Sequence, residues 1–317
     1  VVWESEILPA RVESYRPEWL DGLCLSGQVC WGRGSLRSPG PAPLSAATEE
    51  AKNAQTSRVT PVTLALRSDL PWLLSAARGD ATPGALGPET ARLIECLRSS
   101  GALFLSQLCA LTGLTEPRVR EALWDGVARG VLSADGWSAL RNLIAPRAPA
   151  DSYRAALLRG NSLRRGLRGG LQAEGRWSLL HAATELHERD ALCEAVAEQL
   201  VARWGVVFYD LIAGENLALP WREILWALRR LEARGQLRGG HFVTGFVGEQ
   251  YALPETIERL RAVRREPKRG VAIRLSACDP LNLTGVLFRS PRVPALRTNY
   301  VTYCDGAPEE RAVAPAV

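Results

Sequence analysis

Five arginines and a tryptophan fall within one short stretch, PWREILWALRRLEARGQLRGG (Pro220 to Gly240): Arg222, Trp226, Arg229, Arg230, Arg234 and Arg238. Planar guanidinium forks match phosphate oxygens, and an exposed indole stacks on an unpaired base, a contact worth roughly 1 to 3 kcal/mol. The six are therefore candidate nucleic-acid contacts. The same face, Trp226 above all, would equally serve a neighbouring domain or a second subunit laid over it. Arginine dominates elsewhere too: all but two of the 39 basic side chains are arginine, the exceptions being Lys52 and Lys268. A GC-rich coding sequence produces the same bias, so the bias alone selects no ligand.

These side chains need a helix to carry them. From Trp221 to Arg234 the apolar residues Trp221, Ile224, Leu225, Leu228 and Leu231 recur at the spacing of one helical face, with Arg222, Glu223, Trp226 and Arg230 opposite. Pro220 suits the entry to such a helix and Gly235 its exit. Gly239-Gly240 suits a tight turn between Gln236 to Arg238 and His241 to Phe246. A basic helix that runs into a glycine-tipped hairpin is the back half of a winged helix. The same order appears near the start of the chain, where Trp19, Leu20 and Leu23 would form a buried helical side before Gly27 and a strand from Val29 to Leu36. Leu20 and Leu23 stand at the same distances before Gly27 as Leu228 and Leu231 before Gly235.

Taken in order, the chain reads as α+β: tandem winged-helix domains followed by a small β-barrel or β-rich C-terminal domain. Residues 1–82 form a winged-helix-like module. Its long mobile wing tip is the Pro/Ala/Ser/Thr-rich segment from Ser38 to Arg58, its returning strand is Thr60 to Arg67, and Asp69 caps a short helix beyond. Residues 83–147 offer three helices, Glu89 to Ser99, Ser106 to Leu111 and Glu116 to Arg129. A compact hairpin follows, with Asp135-Gly136 between Val131-Leu132 and Trp137 to Leu140. Residues 148–268 begin with a basic, glycine-rich connector. Gly175 to Leu180 then reads as a strand anchoring the next domain, ahead of a helix from Arg189 to Trp204, a shorter element from Val206 to Ala213 and the Pro220 stretch. Residues 269–317 turn β-like, with strands at Val271 to Ser276, Leu281 to Phe288 and Tyr300 to Tyr303, and a disordered tail from Ala307.

Composition narrows the chemistry. With 46% apolar and 23% charged residues the chain builds real cores, and its net charge of +5 makes polyanions better partners than acidic metabolites. Seven cysteines without a C-x-x-C pair read as reduced thiols of a cytoplasmic protein. The three histidines, His181, His187 and His241, lack ligand spacing, so no metal is expected. No apolar run approaches the ~18 residues of a spanning helix, so no membrane partner is expected. The absence of methionine, even at position 1, reads as a piece of a longer protein.

The pieces WLDGLCLSGQVCWGR (Trp19 to Arg33), PVTLALRSDLPWLL (Pro61 to Leu74), GRWSLL (Gly175 to Leu180), LVARWGVVFYDLI (Leu200 to Ile212), the Pro220 stretch and SACDPLNLTGVL (Ser276 to Leu287) occur in a telling order. That series resembles the C-terminal region of bacterial large helicase-related proteins (Lhr), and the resemblance covers most of the chain. It implies tandem winged helices and a β-barrel, similar to the AlkZ/YcaQ type of DNA glycosylase, attached to a motor that uses ATP to move along single-stranded DNA during repair. The implied partners are DNA, chiefly single-stranded, and the rest of the helicase chain. The motor's phosphate loop, G-x-x-x-x-G-K-[ST], is absent from this sequence, so ATP and Mg²⁺ are expected only in the motor and no cofactor is expected here.

The family is also associated with uracil-DNA glycosylase activity. Such chemistry needs a carboxylate or polarised water beside the sugar of a flipped nucleotide. The AlkZ/YcaQ type uses Gln-x-Gln or Gln-x-Asp, and no glutamine here is followed two residues later by Gln or Asp. Asp279 in ACDPLN and Asp305 in YCDG are the candidate catalytic carboxylates, although aspartate before proline or glycine is also an ordinary turn residue. A third reading is a module for homo-oligomer assembly, with Trp226 in the contact.

Overall fold

The structure, a computed structural model, describes residues 2–36, 62–144, 175–180, 188–288 and 291–309. The expectations for the Ser38 to Arg58 wing tip, for most of the basic connector, and for His181 and His187 lie outside these residues. The chain divides into two units, Pro17–Leu186 and Val1–Arg16 with His187–Val317.

The Pro17–Leu186 unit contains α1 (Pro17–Leu25), β1 (Val29–Gly32), β2 (Thr63–Leu66), α2 (Leu70–Arg78), α3 (Pro88–Ser100), α4 (Leu105–Thr112), α5 (Glu116–Ala128), β3 (Leu132–Ala134), α6 (Trp137–Ile144) and β4 (Trp177–Leu179). β1 and β2 pair antiparallel, Val29 opposite Leu66, which makes the returning wing strand that the sequence implied. Helix α1 turns differently from its expected register. Leu20 and Cys24 are buried, whereas Trp19 and Leu23 are exposed. Asp69 stands at the N-cap of α2 without a capping side-chain bond, its carboxylate taken by the Ser68 hydroxyl.

Helices α3, α4 and α5 close over Leu93, Leu97, Leu108, Val119, Leu123 and Val127, all buried. The hairpin expected at Asp135-Gly136 does not form. Trp137–Ile144 is helical instead, and the Asp21 carboxylate of α1 accepts the Ser138 N–H at 3.0 Å and bonds Arg141 at 2.7 Å, filling the cap role at the start of that helix. The partner of β3 comes from much later in the chain. Leu132–Ala134 pairs with Trp177–Leu179, and Trp177 also bridges Leu103. The strand at Gly175 to Leu180 thus completes the preceding winged helix rather than anchoring the next one. Trp31 ties β1 to this sheet: it is fully buried, its indole N–H donates to the Gly136 carbonyl at 3.1 Å, and the rings of Trp137 and Trp177 meet it edge-on at 6.1 and 6.2 Å.

One buried cation fastens the loops between these elements. The Arg78 guanidinium donates to the carbonyls of Gly34 (2.8 Å), Arg33 (3.1 Å), Gly130 (2.6 Å) and Leu180 (3.1 Å). Burial pushes its pKa down to about 10, so it remains charged at neutral pH.

The second unit opens with a π-helical turn, Trp3–Ile7, and continues with α7 (Arg189–Trp204), β5 (Val206–Val207), α8 (Tyr209–Ile212), α9 (Trp221–Ala233), β6 (Arg238–Gly240), β7 (Gln250–Ala252), α10 (Pro254–Arg265), β8 (Ala272–Ser276), β9 (Tyr300–Cys304) and β10 (Ala307–Pro308). The sheet order β5-β7-β6 repeats the arrangement of Leu103, Trp177 and β3, so both units carry the same winged-helix topology. β8, β9 and β10 form an open three-stranded antiparallel sheet, and no closed barrel exists among the described residues. The expected strand at Leu281 to Phe288 is a series of turns. Asn282 and Thr284, both buried, spend their side chains on one another and on the backbone of Ala277 and Val293, which leaves no ladder to join. Ala307 begins a short strand rather than the tail, because Asp305-Gly306, with φ of 48° and 80°, makes a two-residue hairpin turn.

Three helix exits share one geometry. Gly27, Gly130 and Gly235 sit at φ of 76°, 79° and 78°, and the next residue donates back to the carbonyl five positions earlier: Gln28 to Leu23, Val131 to Gly126, Gln236 to Leu231. This is the Schellman closure that a left-handed residue permits. A Cβ at Gly235 would meet open space, whereas one at Gly130 would lie 2.9 Å from the Ser35 carbonyl oxygen. Gly235→Ala is expected to cost about 1 kcal/mol from φ alone, and Gly130→Ala roughly 3 kcal/mol because backbone must also move. Urea denaturation of the two variants tests this, and equal losses would show that the close approach at Gly130 carries no energy.

Candidate nucleic-acid interface

Helix α9 forms as its apolar spacing requires, with Ile224, Ala227, Leu228 and Leu231 buried against α7 and the sheet. Trp221 and Leu225 are only partly buried, while Ala227, outside the expected stripe, is buried. The turn at Gly239-Gly240 does not occur. Both glycines lie in β6, Gly239 opposite Tyr251 and Gly240 opposite Gln250. The Gly239 N–H donates to the Glu232 carboxylate at 2.8 Å, and a Cβ there would approach that carboxylate to 2.7 Å. The wing turns further on, at Gly245 and Gly248, both with positive φ. Its base is held by Gln250, whose buried side-chain amide accepts the N–H groups of Phe242 and Val243 at 2.7 Å and donates to the Val243 carbonyl at 2.9 Å.

The arginine face is present and largely neutralised from within. Arg229 makes two hydrogen bonds to Glu249 of the wing, one of them at 3.0 Å. Arg234 makes two to Glu194 of α7, at 2.6 and 2.5 Å, and Arg230 lies 3.6 Å from Asp190 and 3.9 Å from Glu194. Glu223, beside them, is taken by Arg189. Trp226 is 45% exposed, with the Arg222 guanidinium 4.6 Å above its ring centroid. Among the described residues neither Arg222 nor Arg238 has a carboxylate partner within ion-pair distance. The sequence placed all six residues on or beside one helix. It could not reveal that three of the arginines meet acids donated by other elements.

The bond to Arg229, followed by one to the Tyr251 hydroxyl, pulls the Glu249 carboxyl down to about 2. Burial, and then the same glutamate, push Tyr251 up to about 12. Arg234 likewise holds Glu194 below the usual carboxylate range.

The two candidate catalytic carboxylates are in the same unit but in unlike settings. Asp279 is buried, accepts both terminal nitrogens of Arg11 at 2.7 Å, and accepts the Leu281 N–H at 2.8 Å. Pairing with Asp279 raises the Arg11 pKa. Asp279 also lines a cavity of about 290 Å³ with Glu6, Arg274, Ser276 and Tyr300. Arg274 lies over the Tyr300 ring, 4.0 Å from its centroid. Asp305 is exposed, and its carboxylate accepts the N–H groups of Arg269 and Gly270 at 3.1 and 3.0 Å. Among the described residues no group of three His, Cys, Asp or Glu side chains is placed to hold a metal ion, and no helix is long and apolar enough to cross a membrane.

Comparison with known families agrees with this topology. Residues 186–272 match a winged-helix domain of large helicase-related proteins, the fourth in that family's order, and residues 1–44 match the third. The chain is thus similar, in two separate stretches, to winged-helix domains of the large helicase-related proteins (Lhr). It is 29% identical over 309 residues to the Lhr helicase/uracil glycosylase of Escherichia coli K12, covering 93% of this chain and 19% of that protein. It is also 29% identical over 305 residues to the Lhr helicase/probable uracil glycosylase of Mycolicibacterium smegmatis, covering 91% of this chain and 18% of that protein. The chain therefore spans about a fifth of the length of these Lhr relatives.

If Arg229 is what depresses Glu249, Arg229→Ala should return that carboxyl toward the ordinary range near 4.5. The ion pair is present at neutral pH and is lost as acidification protonates Glu249 through its lowered value. Side-chain carbonyl NMR titration reads the shift, and an unchanged Glu249 in the variant would assign the effect to Tyr251 instead.

Proposed function

We propose that this chain is a nucleic-acid-binding region of an Lhr-type DNA-repair helicase, one that positions DNA for a motor encoded outside it. The observation that supports this most directly is the match of residues 186–272 to a winged-helix domain of that family, on a chain whose basic side chains are almost all arginine. Winged helices grip DNA mainly through phosphate contacts, and arginine supplies these as forks that position without reading sequence. Single-stranded DNA is the preferred form in this reading, with Trp226 available for base stacking. ATP and Mg²⁺ belong to the motor, and this chain is expected to hydrolyse no ATP on its own.

Fluorescence anisotropy with a labelled oligonucleotide tests the proposal. Affinity for a single strand should fall by at least ~100-fold between 50 and 200 mM salt if about five or more phosphates are neutralised. Binding that ignores salt, or no binding at all, defeats it.

A second reading, uracil excision, draws on the printed names of both relatives and on the cavity beside Asp279. In that reading a flipped nucleotide enters between Tyr300 and Ser276, and Asp279 stabilises the developing positive charge once Arg11 has moved away. Uracil-containing DNA incubated with the chain and then with alkali should break, and Asp279→Asn should reduce breakage by at least ~100-fold. Full cleavage by both Asp279→Asn and Asp305→Asn removes these carboxylates from consideration.

A further inference from the structure

The largest group of cations without a partner in the second winged helix lies on and just beyond α10, the helix that follows the wing, rather than on α9. Arg259, Arg264, Arg265 and Lys268 have no ion-pair or hydrogen-bond partner among the described residues, and all four are exposed. Arg261 and Arg269 beside them are engaged only by Glu258 and Glu266 three residues away, in surface pairs that exchange readily. No residue of α10 is buried. On α9, by contrast, Arg229, Arg230 and Arg234 face acids brought from the wing and from α7. A phosphate arriving at Arg229, Arg230 or Arg234 must displace those carboxylates, and Arg222 is stacked on Trp226, whereas one arriving at α10 meets several open guanidinium groups.

We infer that α10 and the chain just beyond it, through Arg259, Arg264, Arg265 and Lys268, form the principal contact of this winged helix with the phosphate backbone of a nucleic acid. This deepens the DNA-binding reading above and rests on it. Charge complementarity selects the occupant: four unpaired cations and no unpaired acid among Arg259 to Gly270 fit a polyanion. Arg259 to Arg265 span about 9 Å of helix axis, and at about 100° per residue Arg259, Arg264 and Arg265 project to different sides of α10, so each meets phosphate as a separate contact. Arg264 and Arg265 carry full charges that outweigh the partial negative charge of the helix end.

The test compares three versions of the 317-residue chain on single-stranded and duplex oligonucleotides of one sequence, from 50 to 200 mM salt. The quadruple variant Arg259→Ala, Arg264→Ala, Arg265→Ala, Lys268→Ala should weaken binding at 50 mM by at least ~10-fold and flatten the log–log salt slope by about 3. A charge-neutral control, Arg98→Ala with Glu95→Ala, should leave both unchanged within about twofold, because the exposed pair it removes offers phosphate no open cation. Replacing the three arginines by lysine should restore the slope, and a melting curve checks that each variant is folded. If the unmodified chain binds DNA and the quadruple variant binds equally well, α10 is not the contact, while the DNA-binding reading survives. If the unmodified chain does not bind, both fail. If the quadruple variant changes only the mass measured by light scattering, α10 is a protein-facing surface and the inference is overturned.

Discussion

A single guanidinium, without a carboxylate partner among the described residues, ties the loops of the Pro17–Leu186 unit together. Arg78 reaches from the end of α2 to carbonyls on the β1 exit, the α5 exit and the end of the β4 segment. Each of those carbonyls sits where a regular element has just stopped, and the buried ones, of Gly130 and Leu180, would otherwise be acceptors without a donor, costing about 1 to 3 kcal/mol each. The wing of the first module, the wing of the second and the helix joining them are thereby fastened at one point. Gly130 must be a glycine for a related reason: its left-handed turn delivers a carbonyl to Arg78 while its missing Cβ leaves room for the Ser35 carbonyl.

The second unit uses arginine in the opposite way. On α9 the guanidinium groups bind acids of α7 and the wing, so the face that would enter a groove is also the face that holds the winged helix together. The exposed pairs contribute little stability individually. Their combined effect is to engage three cations of the α9 stretch with acids, while Arg259, Arg264, Arg265 and Lys268 on and beyond α10 have no such partner among the described residues. Wing, helix and tail are thus differentiated by who neutralises them, a distinction that counting arginines along the chain cannot make.

What could be read from the sequence follows the range of the interactions. The helix at Trp221, the three glycine exits and the Asp305-Gly306 turn each depend on residues a few positions apart, and each is written locally. Local grammar failed where a partner was distant. Trp137 looked like the second arm of a hairpin because the chain offers Asp135-Gly136, but the Asp21 carboxylate and the arrival of Trp177 favour a helix there. Gly239-Gly240 looked like a turn because glycine suits one, but the closeness of Glu232 explains the glycine equally well. Asp279 was visible as a candidate carboxylate, yet its partner Arg11 stands 268 residues away.

Gln250 reaches the same end by a different route. Its side chain, fully buried, bonds to the Phe242 and Val243 backbone as a neighbouring strand would, so the wing is closed below its tip by one amide. Thr244, Gly245, Val247 and Gly248 are then relieved of the task of closing the loop, while the Phe246 ring packs 4.5 Å from that of buried Phe208. The tip becomes an interchangeable cartridge on a fixed mount. A designer who wants a new binding loop has its attachment points already defined, Gln250 below the tip and Phe246 against Phe208.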